Sequence, residues 1–432
     1  MTPAARLAAA IEVFATIESE RRPAADVLKS WGVAHRYAGA NDRAAVAGLV
    51  YDALRRRASS AFLMQADDAR AILLGMLRRE RGLSAEAIGR LADGSKYAPE
   101  SLSETERRRL EMAVIDDAPA YVAGDYPQWL DPYLQRVFGE ERADEGAALA
   151  SRAPVDLRVN VLKADRETAA HALSDLKPEP TRWSPWGLRI RLSADAKSPA
   201  IHAEAAFLKG LVEIQDEGSQ LATLFSAARP GEQVVDLCAG AGGKTLALAG
   251  MMENKGQIFA TDDDKRRLAP IHDRLRRSGA RNVQVRAPKS TKSEIDDLAG
   301  RMDLVLIDAP CTGTGAWRRN PDAKWRMRPG ALEQRQKEQA AILDRSVTLL
   351  KPGGRIAYIT CSVLDEENGA QVRAFLARHS AFTIEAPAKT SQALTERAFM
   401  FSRAARLSAE GILMTPRLTG TDGFFVAVLR RG

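Results

Sequence analysis

Cysteine is scarce in this chain, and Cys238, Cys311 and Cys361 each follow a short apolar run with strand character. The runs are Val234–Leu237, Leu304–Asp308 and Ile356–Thr360. Open α/β sheets bind their ligands at the carboxyl ends of parallel strands, so this spacing brings thiols to the place where chemistry is done. A thiolate is the reactive form, and a free thiol with a pKa of about 8.5 must be encouraged to ionise. The commoner fate of a free cysteine is to be a small buried hydrophobe. The neighbouring motifs favour chemistry.

The first of these motifs is Asp236-Leu237-Cys238-Ala239-Gly240-Ala241-Gly242-Gly243-Lys244-Thr245, a strand, a glycine-rich turn and a helix start. Glycines let backbone approach a ligand closely, and the helix start offers free N–H groups. A phosphate-cradling Walker loop would need Gly where Cys238 stands, so that reading fails. A nucleoside-binding loop instead expects a carboxylate at the end of the next strand, roughly 20 residues on. Asp262 closes the run Gly256–Thr261 and meets this requirement, ahead of its neighbours Asp263 and Asp264 by strand phase. A tight strand–helix turn without a ligand is the plainer alternative.

The second and third motifs carry the other two thiols. Asp308-Ala309-Pro310-Cys311-Thr312-Gly313-Thr314-Gly315 follows one strand, and Thr360-Cys361-Ser362 follows the next. One reaction that needs such a thiol is methylation of a pyrimidine at carbon 5. That carbon is a poor nucleophile until a thiolate adds to carbon 6, and covalent catalysis of this kind splits one hard step into easier ones. A second acid/base group then helps to remove the carbon-5 proton and expel the thiol. Asp308 is placed to meet the ring nitrogen and exocyclic amine of a cytosine.

These groups need a frame. At 432 residues the chain suits two or three domains, at roughly 150 residues each. Residues 1–142 are rich in Ala, Leu, Arg and Glu with apolar residues at helical spacing, which predicts an all-helical domain. Its clusters Arg55-Arg56-Arg57 and Arg107-Arg108-Arg109 read first as solvated helix faces and second as a nucleic-acid footprint. Residues 143–217 read as a small α+β segment, with strands near Val155–Val161, Gly187–Leu192 and Leu211–Gln215 and a helix near Arg166–Leu176. From 218 to 432 strands alternate with helices, which predicts a parallel, Rossmann-like sheet. The net charge of +7 permits a polyanionic partner without requiring one. The first 23 residues lack a signal-peptide pattern, and no stretch of about 20 apolar residues follows. With no CxxC, neither a disulfide scaffold nor a zinc site is expected, and a cytoplasmic enzyme without metal is.

Taken in order, DLCAGAGGKT, DAPCTGTG and TCS resemble the motifs of the RsmB/Sun family of S-adenosylmethionine-dependent RNA cytosine-5 methyltransferases. APVDLRVN (153–160), QDEGSQL (215–221), RRNPDAKW (318–325), EEN (366–368) and DGFF (422–425) fit the same family. The resemblance covers residues from about 125 to the end, and the helical region is similar to the NusB-like RNA-binding domain of bacterial RsmB proteins. It implies S-adenosylmethionine as cofactor and RNA as partner, with small-subunit (16S) ribosomal RNA the first candidate and a monomer the expected state. It also implies that Cys361 attacks carbon 6, that Cys311 assists release, and that Asp308 supports the base and borders the cofactor. Cys238, Ala239, Gly240, Ala241, Gly242, Gly243 and Lys244 would wrap the methionine and ribose, and Asp262 would bind the ribose. Two positions depart from the pattern. Gly240-Ala241 stand where the family has Ala-Pro, and Ala287 replaces an acidic residue near the adenine. The adenine contact must then come from elsewhere.

Arg318, Arg319, Lys324 and Arg326, interleaved with Trp317 and Trp325, predict an RNA contact in which cations meet phosphates and aromatics stack on bases. The two tryptophans suit core packing equally well. Two other functions compete. A DNA-type cytosine-5 methyltransferase would use the Pro310-Cys311 pair as nucleophile, but has no counterpart of Cys361. A non-catalytic RNA-binding module would use the helical domain and keep the sheet as scaffold. Retention of both thiols and Asp262 speaks against it.

Overall fold

In the computed structural model, residues 1–192, 199–288 and 294–432 are described. The chain divides into two compact units. One is helical and comprises Met1–Arg152 together with Trp317–Arg328. Helices such as Pro3–Glu20, Ala40–Arg55 and Ala69–Arg79 bury Leu7, Phe14, Val46, Val50, Ile72 and Leu74 in one shared core. Their ends carry the expected signals, with Thr2 and Asp68 accepting from the first-turn N–H groups of Ala5 and Ala71. The predicted boundary at 142 moves to 152, because helix Arg142–Leu149 packs with the helical elements before it. Residues 317–328, expected within the sheet domain, belong to the helical unit.

The second unit comprises Ala153–Ala316 and Pro329–Gly432 and contains two sheets. The smaller is antiparallel and built from β1 (Val155–Val159), β2 (Glu179–Pro180), β3 (Gly187–Ile190) and β4 (Val212–Ile214), in the order β2-β3-β1-β4. Leu157, Val159, Leu188, Ile190 and Val212 close its core. This is the predicted α+β segment.

The larger sheet contains β5 (Gln233–Asp236), β6 (Gln257–Thr261), β7 (Val283–Arg286), β8 (Met302–Asp308) and β9 (Leu350–Thr360). It continues through β10 (Phe382–Ile384), β11 (Arg406–Leu407), β12 (Ile412–Met414) and β13 (Phe424–Arg431). The order is β11-β12-β13-β9-β8-β5-β6-β7, with β10 also paired to β13. Strands β5 to β9 pair in parallel, and β13 runs antiparallel to β9. The apolar runs of β5, of β8 and of Ile356–Ile359 in β9 match burial on both faces, while β7 at the edge is only partly covered. This is the Rossmann-like sheet that the sequence predicts. The chain leaves β5 toward β6 on one side and reaches β8 on the other, so a crevice opens at the carboxyl ends between β5 and β8. No helix among the described residues is long and apolar enough to cross a membrane.

Candidate active site

The loop after β5 is shaped by two left-handed glycines, Gly240 (φ 49°) and Gly242 (φ 84°). Gly242 N donates to Ala239 O at 2.8 Å, and Ala239 N donates to Thr261 O at 2.9 Å, which ties the loop to the end of β6. A Cβ on Gly242 would sit 2.5 Å from Ile271 Cγ1, so glycine is demanded twice there. Asp262 is buried directly beside this loop, whereas Asp263 and Asp264 are exposed. Its Oδ2 accepts from Gly240 N at 2.9 Å and its Oδ1 from Asp264 N at 3.0 Å. At Gly240 the left-handed φ alone favours glycine, since a Cβ there would make only ordinary contacts, 3.8 Å from Arg267 Nη2 and 3.9 Å from Asp262 Oδ2. The carbonyl of Ala241, at the position where stiffening proline is absent, accepts from Arg274 Nη1 at 2.9 Å. Glu213 of β4 holds Arg274 at 2.9 Å and Arg277 at 2.6 Å. Ala287, just beyond β7, is exposed.

Lys244, one residue into the helix Gly243–Met251, is buried and places Nζ 2.7 Å from Asp308 Oδ2. This ion pair joins the first turn of that helix to the last residue of β8. Asp236 beneath it accepts from Thr245 Oγ1 at 2.7 Å, and burial pushes its carboxyl up to about 7. Burial also raises the Cys238 thiol well above its ordinary range, helped by the negative charges of Asp236, Asp308 and Asp262. Both causes favour the Cys238 thiol over its thiolate, the reactive form.

The other two cysteines meet. Parallel pairing of β8 with β9 sets Asp308 opposite Ile359, and Ala309 N donates to Ile359 O at 2.8 Å, so both loops leave the sheet side by side. Cys311 Sγ and Cys361 Sγ lie 3.3 Å apart across 50 residues of sequence. The contact with Cys361, followed by burial, raises the Cys311 thiol well above its ordinary range. Gly315 N donates to Cys361 O at 2.9 Å, and Gly423 N donates to Gly315 O at 2.8 Å. A Cβ on Gly315 would lie 2.1 Å from Gly423 O, which explains glycine in both the DAPCTGTG and DGFF segments. Glu367 and Asn368 also bond into these loops. They come from the EEN segment, whose sequence offered no sign of this beyond its place in the motif order.

Residues 223–430 match the family described as 16S rRNA methyltransferase RsmB/F, and residues 126–196 match the ferredoxin-like domain of RsmF/B-like methyltransferases. The ribosomal RNA small subunit methyltransferase B of Citrobacter koseri is 32% identical over 327 residues, covering 75% of this chain and 70% of the relative. The chain belongs to the RsmB/Sun family. The methyltransferase B of Salmonella arizonae is 36% identical over 255 residues, which cover 59% of this chain and 58% of that relative's length. Among solved structures, the crystal structure of PH0851 aligns over 100% of this chain and 99% of its own, with a TM-score of 0.71 and 24% identity.

In this RsmB-family chain the expected RNA contacts need correction. Lys324 is fully buried inside the helical unit, where Nζ donates to Asp125 O at 2.6 Å and Arg55 O at 3.1 Å. Arg318 is 5% exposed, and its carbonyl accepts from Arg55 Nη2 at 3.1 Å. Neither side chain can reach a phosphate in this packing. Trp317 is 1% exposed and Trp325 donates its indole N–H to Leu54 O at 2.6 Å, so both tryptophans pack rather than stack. Of the four cations only Arg326 is exposed, paired to Asp322 at 3.1 Å, while Arg319 is half-buried. The Arg55–Arg57 run is likewise consumed by Asp52, Glu80 and Glu18 instead of facing solvent. Among the described residues no group of His, Cys, Asp and Glu is arranged to hold a metal.

Proposed function

We propose that this protein methylates carbon 5 of a cytosine in RNA, with S-adenosylmethionine as methyl donor and a cysteine adduct at carbon 6. The observation that carries the reading is the pair of thiols 3.3 Å apart beside the Lys244–Asp308 ion pair at the sheet's switch point. The cradle suits the cofactor. Gly240 and Gly242 bring backbone close, and the Asp262 carboxylate retains acceptor positions for ribose hydroxyls. When bound, S-adenosylmethionine supplies an electrophilic methyl group.

The chain's own residues do the rest. The Cys361 sulfur forms a bond to carbon 6, and the carbon 5–carbon 6 electron pair becomes available at carbon 5 for the methyl group. Asp308, held by Lys244, faces the ring nitrogen and amine of the base and orients it. Once carbon 5 is methylated its proton leaves to a base, the double bond returns, and the bond to Cys361 breaks. Cys311, whose sulfur lies 3.3 Å from that of Cys361, hands its thiol proton to the departing Cys361 sulfur, while the carbon-5 proton leaves to water and Cys311 is reprotonated from solvent. A target cytosine must leave its stack to reach Cys361, which favours a loop or unpaired site.

Small-subunit ribosomal RNA is the proposed substrate, in line with the relatives' names. Bisulfite sequencing of ribosomal and transfer RNA from a deletion strain tests this. Loss of one 5-methylcytosine in small-subunit RNA is the expected result. An unchanged methylation map would refute the assignment.

A further inference from the structure

Cys311 is fixed by residues from beyond its own strand end, and Cys361 by the far end of the segment that it opens. Pro310 and Thr312 flank Cys311. Thr312 N donates to Glu367 Oε1 at 2.8 Å, and Thr312 Oγ1 donates to Glu367 Oε2. Gln339 Nε2 donates to Pro310 O at 2.9 Å and to Glu367 Oε1 at 3.1 Å. Thr360 and Ser362 flank Cys361. Thr360 Oγ1 donates to Asn368 Oδ1, and Asn368 Nδ2 donates to Ser362 O at 2.9 Å. Tyr358 of β9 donates its hydroxyl to Glu367 O at 2.6 Å. Glu367 and Asn368 are both buried, so these bonds are made away from competing water.

Two consecutive residues therefore hold the two loops, one each. We infer that Glu367 and Asn368 are positioning residues that set the sulfur–sulfur geometry, Glu367 governing Cys311 and Asn368 governing Cys361. This rests on the assignment of attack to Cys361 and release to Cys311. A loop released by about 1 Å loses reacting geometry worth about 100-fold in rate. Loss of the Glu367 carboxylate should then impair release, and loss of the Asn368 amide should impair attack. A purely structural role would lower both halves together.

The test uses the full-length protein, S-adenosylmethionine and small-subunit RNA transcript, with covalent RNA–protein species read on a denaturing gel. Glu367→Gln should accumulate adduct about 10-fold above the parent, as Cys311→Ala does. Asn368→Ala, placed in the Cys311→Ala background, should form adduct about 10-fold more slowly. Cofactor affinity should be unchanged in both. Should either variant fold poorly, Thr312→Val and Thr360→Val remove one hydroxyl from each clamp and should shift the same two steps. Equal slowing of both steps, or no change in either, would overturn the inference. If Cys311→Ala traps no adduct, the assignment of the thiols fails. The clamp is then judged by the rate of diamide-driven Cys311–Cys361 crosslinking, which an active clamp makes slower in Glu367→Gln and an inactive one leaves unchanged.

Discussion

Lys244 Nζ stands 2.7 Å from Asp308 Oδ2, so one buried cation links the helix that follows the glycine loop to the end of β8. Removing one partner of a buried pair costs about 3–5 kcal/mol, and Asp308, a third open to solvent, puts this case at the low end. Lys244→Met should lower both thermal stability and cofactor affinity, followed by scanning fluorimetry and calorimetry. Unaltered affinity would show that the pair does not shape the cradle.

Asp262→Ala removes the acceptor of Gly240 N and the proposed acceptor for the ribose. Hydrogen bonds to a charged group are worth about 1.5–3 kcal/mol each, so S-adenosylmethionine should bind about 10- to 100-fold more weakly. Titration calorimetry measures it. Equal affinity in parent and variant would move the ribose contact off this residue.

Much of this arrangement is legible in the sequence. The parallel strands stand out because Val234–Val235 and Leu304–Ile307 are continuous apolar runs, and the cysteines mark their ends. Strands β10 to β12 were not legible, since two or three residues at a sheet edge carry no period of their own. The fate of Lys324 was hidden for a different reason. A lysine between tryptophans looks the same whether it faces a phosphate or fills a site made by Arg55 and Asp125, about 200 residues or more away. The role of Glu367 likewise exists only through contacts to another loop, and that of Asn368 through closure of its own segment onto Thr360 and Ser362.

Burial depresses the Lys324 ammonium to about 7. Between that pH and its ordinary value near 10.5 the unfolded chain holds a proton that the folded chain has given up, so stability rises with pH there. The parent should gain up to about 1.4 kcal/mol per pH unit relative to Lys324→Met across this window. Chemical denaturation at several pH values measures the difference. Parallel pH profiles for the two proteins would refute the buried, deprotonating lysine.

The sulfurs of Cys311 and Cys361 need to close from 3.3 Å to about 2.05 Å to form a disulfide. Diamide, which accepts two electrons and two protons, should therefore link them, abolish methyl transfer and be reversed by dithiothreitol. Peptide mapping should find Cys238 unpaired. A crosslink that involves Cys238, or none, would contradict the observed pairing.

The division of labour between the two thiols is the centre of the account, and trapping measures it most directly. Parent, Cys361→Ala and Cys311→Ala proteins are each incubated with S-adenosylmethionine and small-subunit RNA, then resolved on a denaturing gel with methyl incorporation counted in parallel. The account predicts no methyl transfer and no adduct for Cys361→Ala, with cofactor binding intact. For Cys311→Ala it predicts a methylated, slow-migrating RNA–protein species. Adduct in Cys361→Ala together with no chemistry in Cys311→Ala would contradict it, transferring the nucleophile to Cys311 and restoring the DNA-type mechanism.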